Sequence, residues 1–414
     1  MKDQILSKLE SASELEKLYQ KNKSEFKASF NSVYAEIQGK GNADFWHARL
    51  NFESEPVLWG KASDWKFILS SAVLAWFLAK IPAFFGLDEE FFYPRNLSFL
   101  VFPFVGAYFV RSKNLAIKDL GLPIGIALIS LLYITLLPNS NTSDTLVLAC
   151  IHLPLLLWGM LGFIFSDASL KNLTKRLTYL EFNAEAIIMG GILGLSGLLL
   201  SGLTVGLFGL IGLQIEEFYF QNIGVFGLVA APLIATHLTQ TNPQLVNKIP
   251  PIIAKIFSPL VLIMLIVYLG SILLGGKDPY NDREFLLIFN LLLIGVMALI
   301  FFSVTEASKE QTSKASKWIL TLLSGVTILV NLVALSAIGF RISEWGITPN
   351  RLAVLGVNLL MLIHLIMVAR KLFQTLNNHE SFPNVALLVV RYLPIYLIWS
   401  LIVVFLFPLI FGFA

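Results

Sequence analysis

Ionisable and amide side chains lie inside several long apolar runs, and these are the residues whose types could support chemistry. Such groups are costly inside a bilayer, so they commonly mark solute paths, proton relays or contacts between helices. Imidazole and carboxylate groups could exchange protons, and amides could bind a polar solute. The candidate intramembrane positions are His152, Glu185, His237, Asn290, Asn331, Asn358, His364 and Arg391.

Two interpretations of these positions remain open. In the simpler one, His364 is a neutral imidazole bonded to a neighbouring helix, Arg391 extends to the membrane surface, and the asparagines hold helices together. In the sharper one, His364, Arg391 and Glu185 line a shared cavity, and the asparagines line a pocket that faces outward. The sequence does not show which helices touch.

A serine motif similar to that of rhomboid-type intramembrane proteases occurs at 194–197, and His237 lies on the following span. Ser196 falls near the middle of its span and His237 at the end of its own, so they differ in depth by roughly 10 Å or more. That separation is too large for a nucleophile and its base. The single cysteine, Cys150, excludes a multi-cysteine metal site. We therefore expect no catalytic residue, metal or cofactor, and lean against an enzyme.

A charged connection between two late apolar runs, Phe340 to Arg351, is the second place where chemistry could occur. Thr348 is a suitable N-cap and Pro349 suits the first helical position, so a helix should begin here. The connection predicts either an Arg–Glu clamp or an anion site at the helix start. The residues of this candidate anion or clamp site are Arg341, Glu344, Asn350 and Arg351.

The stretch Arg341-Ile-Ser-Glu-Trp-Gly-Ile-Thr-Pro-Asn-Arg351 resembles the signature of a bacterial multi-pass membrane family, the domain of unknown function numbered forty-one fifty-three. That signature has an Arg, an acidic-aromatic-Gly unit and a Thr-Pro-x-Arg unit between two late spans. The resemblance covers about residues 65–414 and implies a polytopic bundle. It implies no activity and no catalytic residues.

Composition defines the class of protein. Hydrophobic residues make up 56% of the chain and charged residues 14%, against about 25% charged in soluble domains. Mean hydropathy is +0.74. The net charge of +3 offers no argument for nucleic-acid binding. We expect an all-α polytopic membrane helix bundle whose principal partner is the lipid bilayer.

About eleven transmembrane helices are expected from the length that a hydrocarbon core of about 30 Å demands. The expected spans are 65–87, 97–111, 119–138, 145–166, 183–205, 220–238, 252–275, 285–304, 318–339, 351–372 and 386–412. Alternate connections are lysine-rich, whereas the opposite ones carry only Arg95, Lys277, Arg283, Arg341 and Arg351. This bias places the N-terminus in the cytoplasm and the C-terminus outside a bacterial cytoplasmic (inner) membrane.

Two further segments carry specific expectations. Residues 1–64 form a soluble or interfacial helical segment, either packed as a small cytoplasmic cap or lying at the membrane interface, and 65–414 form the bundle. Glycines recur through the fifth span, including Gly190, Gly194 and Gly202. Such a stripe predicts a helix face packed closely inside the bundle against at least two other helices.

Function stays open between two classes. Intramembrane polar groups favour a small-solute transporter or channel, with a small solute or anion as its ligand. The alternative is a non-transporting membrane sensor or scaffold that engages a protein partner through its N-terminal segment.

Overall fold

The computed structural model describes residues 1–51, 58–139, 143–169, 171–246, 248–274, 283–309, 313–377 and 379–413, with only the backbone of 271–274 and 283–288. Lys277 lies outside these residues, as does the C-terminal Ala414, and the side chain of Arg283 is not described. All regular structure in the described ranges is helical, which confirms the all-α expectation. The chain divides into two compact units, Met1–Leu58 and Trp59–Ala414.

Four helices build the first unit around a core of its own. Asn22 caps the third by accepting a hydrogen bond from the backbone N–H of Glu25 at 3.1 Å, the contact that an N-cap residue makes at a helix start. Phe26, Phe30 and Trp46 are at most 1% exposed, and the guanidinium of Arg49 lies 4.7 Å from the Trp46 ring. The helices are α1 Lys2–Ser7, α2 Ala12–Lys21, α3 Lys23–Ile37 and α4 Ala43–Leu50.

The membrane unit begins with helices of very different lengths. They are α5 Ala62–Ala79, α6 Ile81–Phe85, α7 Glu89–Asn96, α8 Phe102–Lys113, α9 Gly121–Leu136, α10 Asp144–Phe165, α11 Leu173–Leu210, α12 Glu216–Tyr219, α13 Val225–Thr241 and α14 Pro243–Val246. We call α5, α8, α10, α11 and α13 the first half, because one aromatic core joins them. Phe109 is its centre, with ring centroids 5.2 Å from Phe165 and 5.4 Å from Phe182.

The second half consists of α15 Ile249–Leu274, α16 Arg283–Ala307, α17 Lys314–Trp345, α18 Pro349–Leu376 and α19 Phe382–Leu401, followed by α20 Phe407–Ile410. Its core is mainly aliphatic, built from side chains such as Leu293, Leu323 and Leu365. Gly356 of α18 lets a rigid ring approach: a Cβ there would lie 2.0 Å from the Trp399 indole. Long α10 packs on α19 and links the two halves.

Nine helical segments among the described residues are long and apolar enough to cross a membrane, against about eleven expected. The difference falls on the first two expected spans. The first ends at Ala79, and a separate short helix begins at Ile81. The second is reduced to the 12 residues of α8, which rise only roughly 18 Å.

The expectation for the glycine stripe of α11 was wrong. A Cβ at Gly190 would lie 3.8 Å from the Cβ of Ala235. Cβ atoms added at Gly194, Gly197, Gly202, Gly206 or Gly209 would meet nothing within 4 Å among the described residues. Leucines around them, such as Leu195 and Leu203, are 72% and 57% exposed. The glycine spacing indicates which face of α11 could pack closely. The C-terminal part of this helix, however, extends beyond the helices that flank its N-terminal part.

Candidate functional site

The connection around Trp345 is shorter than the sequence suggests, because α17 continues through Arg341 and Glu344. Thr348 caps α18 as predicted, accepting a hydrogen bond from the backbone N–H of Arg351 at 3.3 Å. The Arg351 guanidinium donates to the carbonyl oxygens of Trp345 at 2.8 Å and Gly346 at 2.7 Å. A cation is favourable there because those carbonyls belong to a helix C-terminus.

The contacts of the two arginines differ from those of the predicted Arg–Glu clamp. Within the described part of the chain, no ion pair joins the exposed Glu344 to Arg341 or Arg351. Both guanidinium groups lie over the Trp345 ring instead, 5.4 Å away for Arg341 and 5.7 Å for Arg351. Asn350 is half-buried in the first turn of α18. The two arginines and the indole therefore lie together at the connection between α17 and α18.

His237, on α13, is 1% exposed and has partners for both ring nitrogens. Nδ1 lies 3.0 Å from the Tyr108 hydroxyl and Nε2 lies 3.2 Å from the carbonyl oxygen of Trp59. A carbonyl only accepts, so Nε2 carries the proton and Nδ1 accepts from the tyrosine. Gly60 (φ +74°) makes room for the ring, because a Cβ there would lie 2.6 Å from it. His237 thus anchors the start of the membrane unit.

His364, on α18, is fully buried but only half-satisfied. Its Nδ1 lies 3.2 Å from the Tyr396 hydroxyl, and its ring stacks on Tyr392 with centroids 4.2 Å apart. The Tyr396 hydroxyl donates to Met297 Sδ at 3.6 Å. Nδ1 of His364 then carries the proton, and Nε2 is an acceptor without a partner among the described residues.

The asparagines lie on three adjacent helices of the second half. Asn358 Nδ2 donates to Asn290 Oδ1 at 2.6 Å, so this pair joins α18 to α16 as the gluing interpretation expects. Asn358 Oδ1 and both amide atoms of Asn331 have no hydrogen-bond partner in the described chain, and the two residues are 1% and 0% exposed. Gluing accounts for one of these amide contacts and leaves the other groups unexplained.

The remaining predicted positions do not come together. His152 is half-buried, and its Nδ1 lies 2.8 Å from the Leu148 carbonyl of its own helix. Arg391 is exposed on α19, whereas His364 is enclosed by aromatic rings. Neither these three nor Glu185 line the cavity among α15, α16 and α17 or the cavity among α8, α9 and α10. Ser196 is exposed and its hydroxyl donates to the Ile192 carbonyl of its own helix, with no contact to His237 in the described residues.

A buried carboxylate that the sequence analysis did not single out lies at the end of α16. Glu306 is 7% exposed, and its Oε1 accepts a hydrogen bond from Lys309 at 2.9 Å. The same ammonium lies 3.7 Å from Glu181 of α11, next to Glu185. Burial alone would lower the pKa of Lys309, but the hydrogen bond to Glu306 and the charges of Glu181, Glu306 and Glu185 together raise it. Glu306 follows Ser303 by one helical turn, a spacing that could have revealed a polar face.

No protein-family model, no curated protein and no solved structure matches this chain. Its fold and composition define the class: an integral membrane protein of the all-α polytopic type, with nine described helical segments able to span a bilayer. Membership of the family suggested by Arg341 to Arg351 stays a prediction.

Proposed function

We propose that this protein moves a small polar solute across the membrane through the second half of its bundle. One observation carries the proposal: fully buried polar atoms without partners in the described chain, at Asn331, Asn358 and His364. Each such atom costs about 1–3 kcal/mol relative to a paired one. A bundle selected only for stability would place leucine at these positions, whereas intramembrane polar groups commonly mark a solute path.

The order of these groups along the helices fits a path. Asn358 lies near the start of α18, His364 is six residues further on, and Glu306 ends the neighbouring α16. At 1.5 Å per residue, Asn358 and His364 are roughly 9 Å apart along the axis. A polar solute or water molecules could satisfy these atoms in sequence.

Purified protein in liposomes tests the proposal by stopped-flow light scattering. Vesicles shrink in a hyperosmotic solution and re-swell at the rate at which the solute enters. We expect faster re-swelling than in protein-free liposomes for at least one of glycerol, glycine and cyclohexylmethylammonium chloride, and loss of the difference in Asn331→Leu. Re-swelling at the protein-free rate for all three solutes would overturn transport.

The orientation we propose has the N-terminus in the cytoplasm and the C-terminus outside a bacterial inner membrane. Basic residues gather at one end of the bundle, which supports it. Asp167, after α10, forms ion pairs with Lys113 and Lys175. The Lys317 ammonium donates a hydrogen bond to the carbonyl of Thr375, near Lys371. Phosphatase fusions should be inactive after Lys175 and Lys314 and active after Ala414. The reverse pattern would contradict this orientation.

A second candidate function, a sensor or scaffold, is supported by the first unit. Residues Met1–Leu58 bury a core of their own and expose Phe45 to 60%. A partner could bind this unit without solute movement. Phe45→Glu should then abolish co-purification of that partner with the full chain, while the re-swelling rate of liposomes should be unchanged. A complex that survives this substitution would exclude Phe45 as the contact.

A further inference from the structure

A cavity of about 320 Å³ lies among α15, α16 and α17, beside the buried carboxylate of Glu306. Its wall is partly apolar, with Pro251, Ala254 and Leu320 among the lining side chains. The polar part includes Glu306 and the hydroxyls of Ser258 and Ser303. A cavity of this volume, apolar with a few convergent polar groups, is typical of a small-molecule site.

Glu306 has one oxygen to spare. Oε1 is occupied by the Lys309 ammonium, whereas Oε2 is buried and has no hydrogen-bond partner within the described chain. Glu306 is only 7% exposed, and it lines the cavity. An ionised carboxylate oxygen left without a donor is costly, so the site favours a molecule that brings one.

The charge at Glu306 is only partly compensated. Lys309 lies between two carboxylates, 2.9 Å from Glu306 and 3.7 Å from Glu181, so it can neutralise only one of them. The nearby Glu185 adds a third negative charge. The exposed Lys255 also lines the cavity, where solvent screens its charge. A bound cation would balance the remaining buried carboxylate.

The serine pair extends the polar wall. The hydroxyls of Ser258 and Ser303 are 2.9 Å apart, and the two residues are 3% and 4% exposed. One hydroxyl donates to the other, and the oxygens keep lone pairs that can accept from a ligand. The buried part of the polar wall, formed by Glu306 and these two serines, is therefore rich in acceptors.

We propose that this cavity binds a small organic cation with a primary ammonium head and a compact apolar body. The ammonium donates to Glu306 Oε2 and to a serine hydroxyl, and the body packs against Pro251, Ala254 and Leu320. This inference rests on the proposed transport function and deepens it by naming the substrate class.

Isothermal titration of the full chain in detergent tests the site with cyclohexylmethylamine hydrochloride and its neutral analogue cyclohexylmethanol. The amine should bind, and the alcohol should bind at least about tenfold more weakly, because it lacks the charge-assisted hydrogen bond. Glu306→Gln should weaken amine binding by about tenfold or more. The control Glu344→Gln removes an equal charge from an exposed residue outside the cavity wall and should change the affinity less than about threefold.

A further variant keeps the test decisive. Ala254→Phe fills the cavity without altering a charge, and it should abolish binding of the amine. The site is refuted if the alcohol binds as tightly as the amine, or if amine binding survives either Glu306→Gln or Ala254→Phe in folded protein. Amine binding without re-swelling of liposomes would retain the site and refute transport. Re-swelling with glycerol or glycine, without amine binding, would refute the site and retain transport.

Discussion

The two halves of the membrane unit each bury a histidine, and they satisfy it differently. In the first half, His237 has a tyrosine hydroxyl on one nitrogen and a backbone carbonyl on the other. In the second, His364 has a tyrosine on Nδ1 and no partner for Nε2 among the described residues. A fully bonded imidazole fixes local structure, whereas an unpaired one is a cost that stability alone does not explain.

The two cavities follow the same division. The one in the first half, about 350 Å³ among α8, α9 and α10, is lined by apolar side chains apart from Arg111. The one in the second half is of similar size but holds Glu306 and two buried serines. The volumes are similar, but the wall of the second cavity includes buried polar groups, which supports the proposal that the second half carries the activity.

The largest effect that would separate the halves is expected from His237→Leu. The substitution leaves the buried Tyr108 hydroxyl without a partner in the described chain and removes one of two hydrogen bonds to the Trp59 carbonyl, which also accepts from Trp65 Nε1. Unfolding should therefore require about 2–4 kcal/mol less free energy. The matched change His364→Leu loses ring stacking of about 0.5–1.5 kcal/mol and the hydrogen bond to Tyr396, worth roughly 1 kcal/mol. It also removes an unpaired nitrogen that costs about 1–3 kcal/mol, so the losses and the gain nearly cancel. Unfolding by SDS titration measures both. Equal losses would remove the distinction between the two histidines.

The second prediction has the opposite sign. Asn331→Leu replaces a fully buried amide without partners in the described chain by an apolar side chain of similar size. We expect the free energy of unfolding to rise by about 1–2 kcal/mol, and re-swelling of liposomes to stop. The control is Asn358→Leu, which breaks the hydrogen bond to Asn290 and should not stabilise. A destabilised Asn331→Leu would mean that the amide serves structure.

The third prediction contrasts a half-buried carboxylate that is well supplied with donors with the buried Glu306. Hydrogen bonds from Lys371, Asn384 and the backbone of Ser381 lower the pKa of Glu380 from 4.5 to about 2. The stabilisation is therefore present above pH 4.5 and is lost as the pH falls towards 2. Glu380→Gln should lower the stability at pH 7 by less than about 1 kcal/mol, because ion pairs at a protein surface contribute little. That difference should shrink between pH 4.5 and 2 in parallel unfolding titrations, and a constant difference would contradict it.

The sequence was most informative about features that depend on neighbours along the chain. Apolar length predicted the long helices, and Thr348-Pro349 predicted the start of α18. It was least informative about contacts between distant segments. Arg351 bonds to carbonyls because α17 continues to Trp345, a geometry that charge pairing alone does not suggest. Glu306 lies just outside the expected span 285–304, and its burial depends on how α11, α15 and α17 surround the end of α16.

The smallest effect is expected on α11, where the sequence predicted a large one. Gly194→Leu places a side chain in open space, since a Cβ there meets nothing within 4 Å. We expect a change of less than about 0.5 kcal/mol in stability, because leucine is well tolerated where lipid surrounds a helix. Gly356→Ala is the control: its Cβ would lie 2.0 Å from the Trp399 ring, so even one methyl group should reduce the folded yield severely. If Gly194→Leu reduced the folded yield as much as Gly356→Ala, the part of α11 around Gly194 would have to pack against protein. The prediction that the glycine face packs closely against other helices would then be restored.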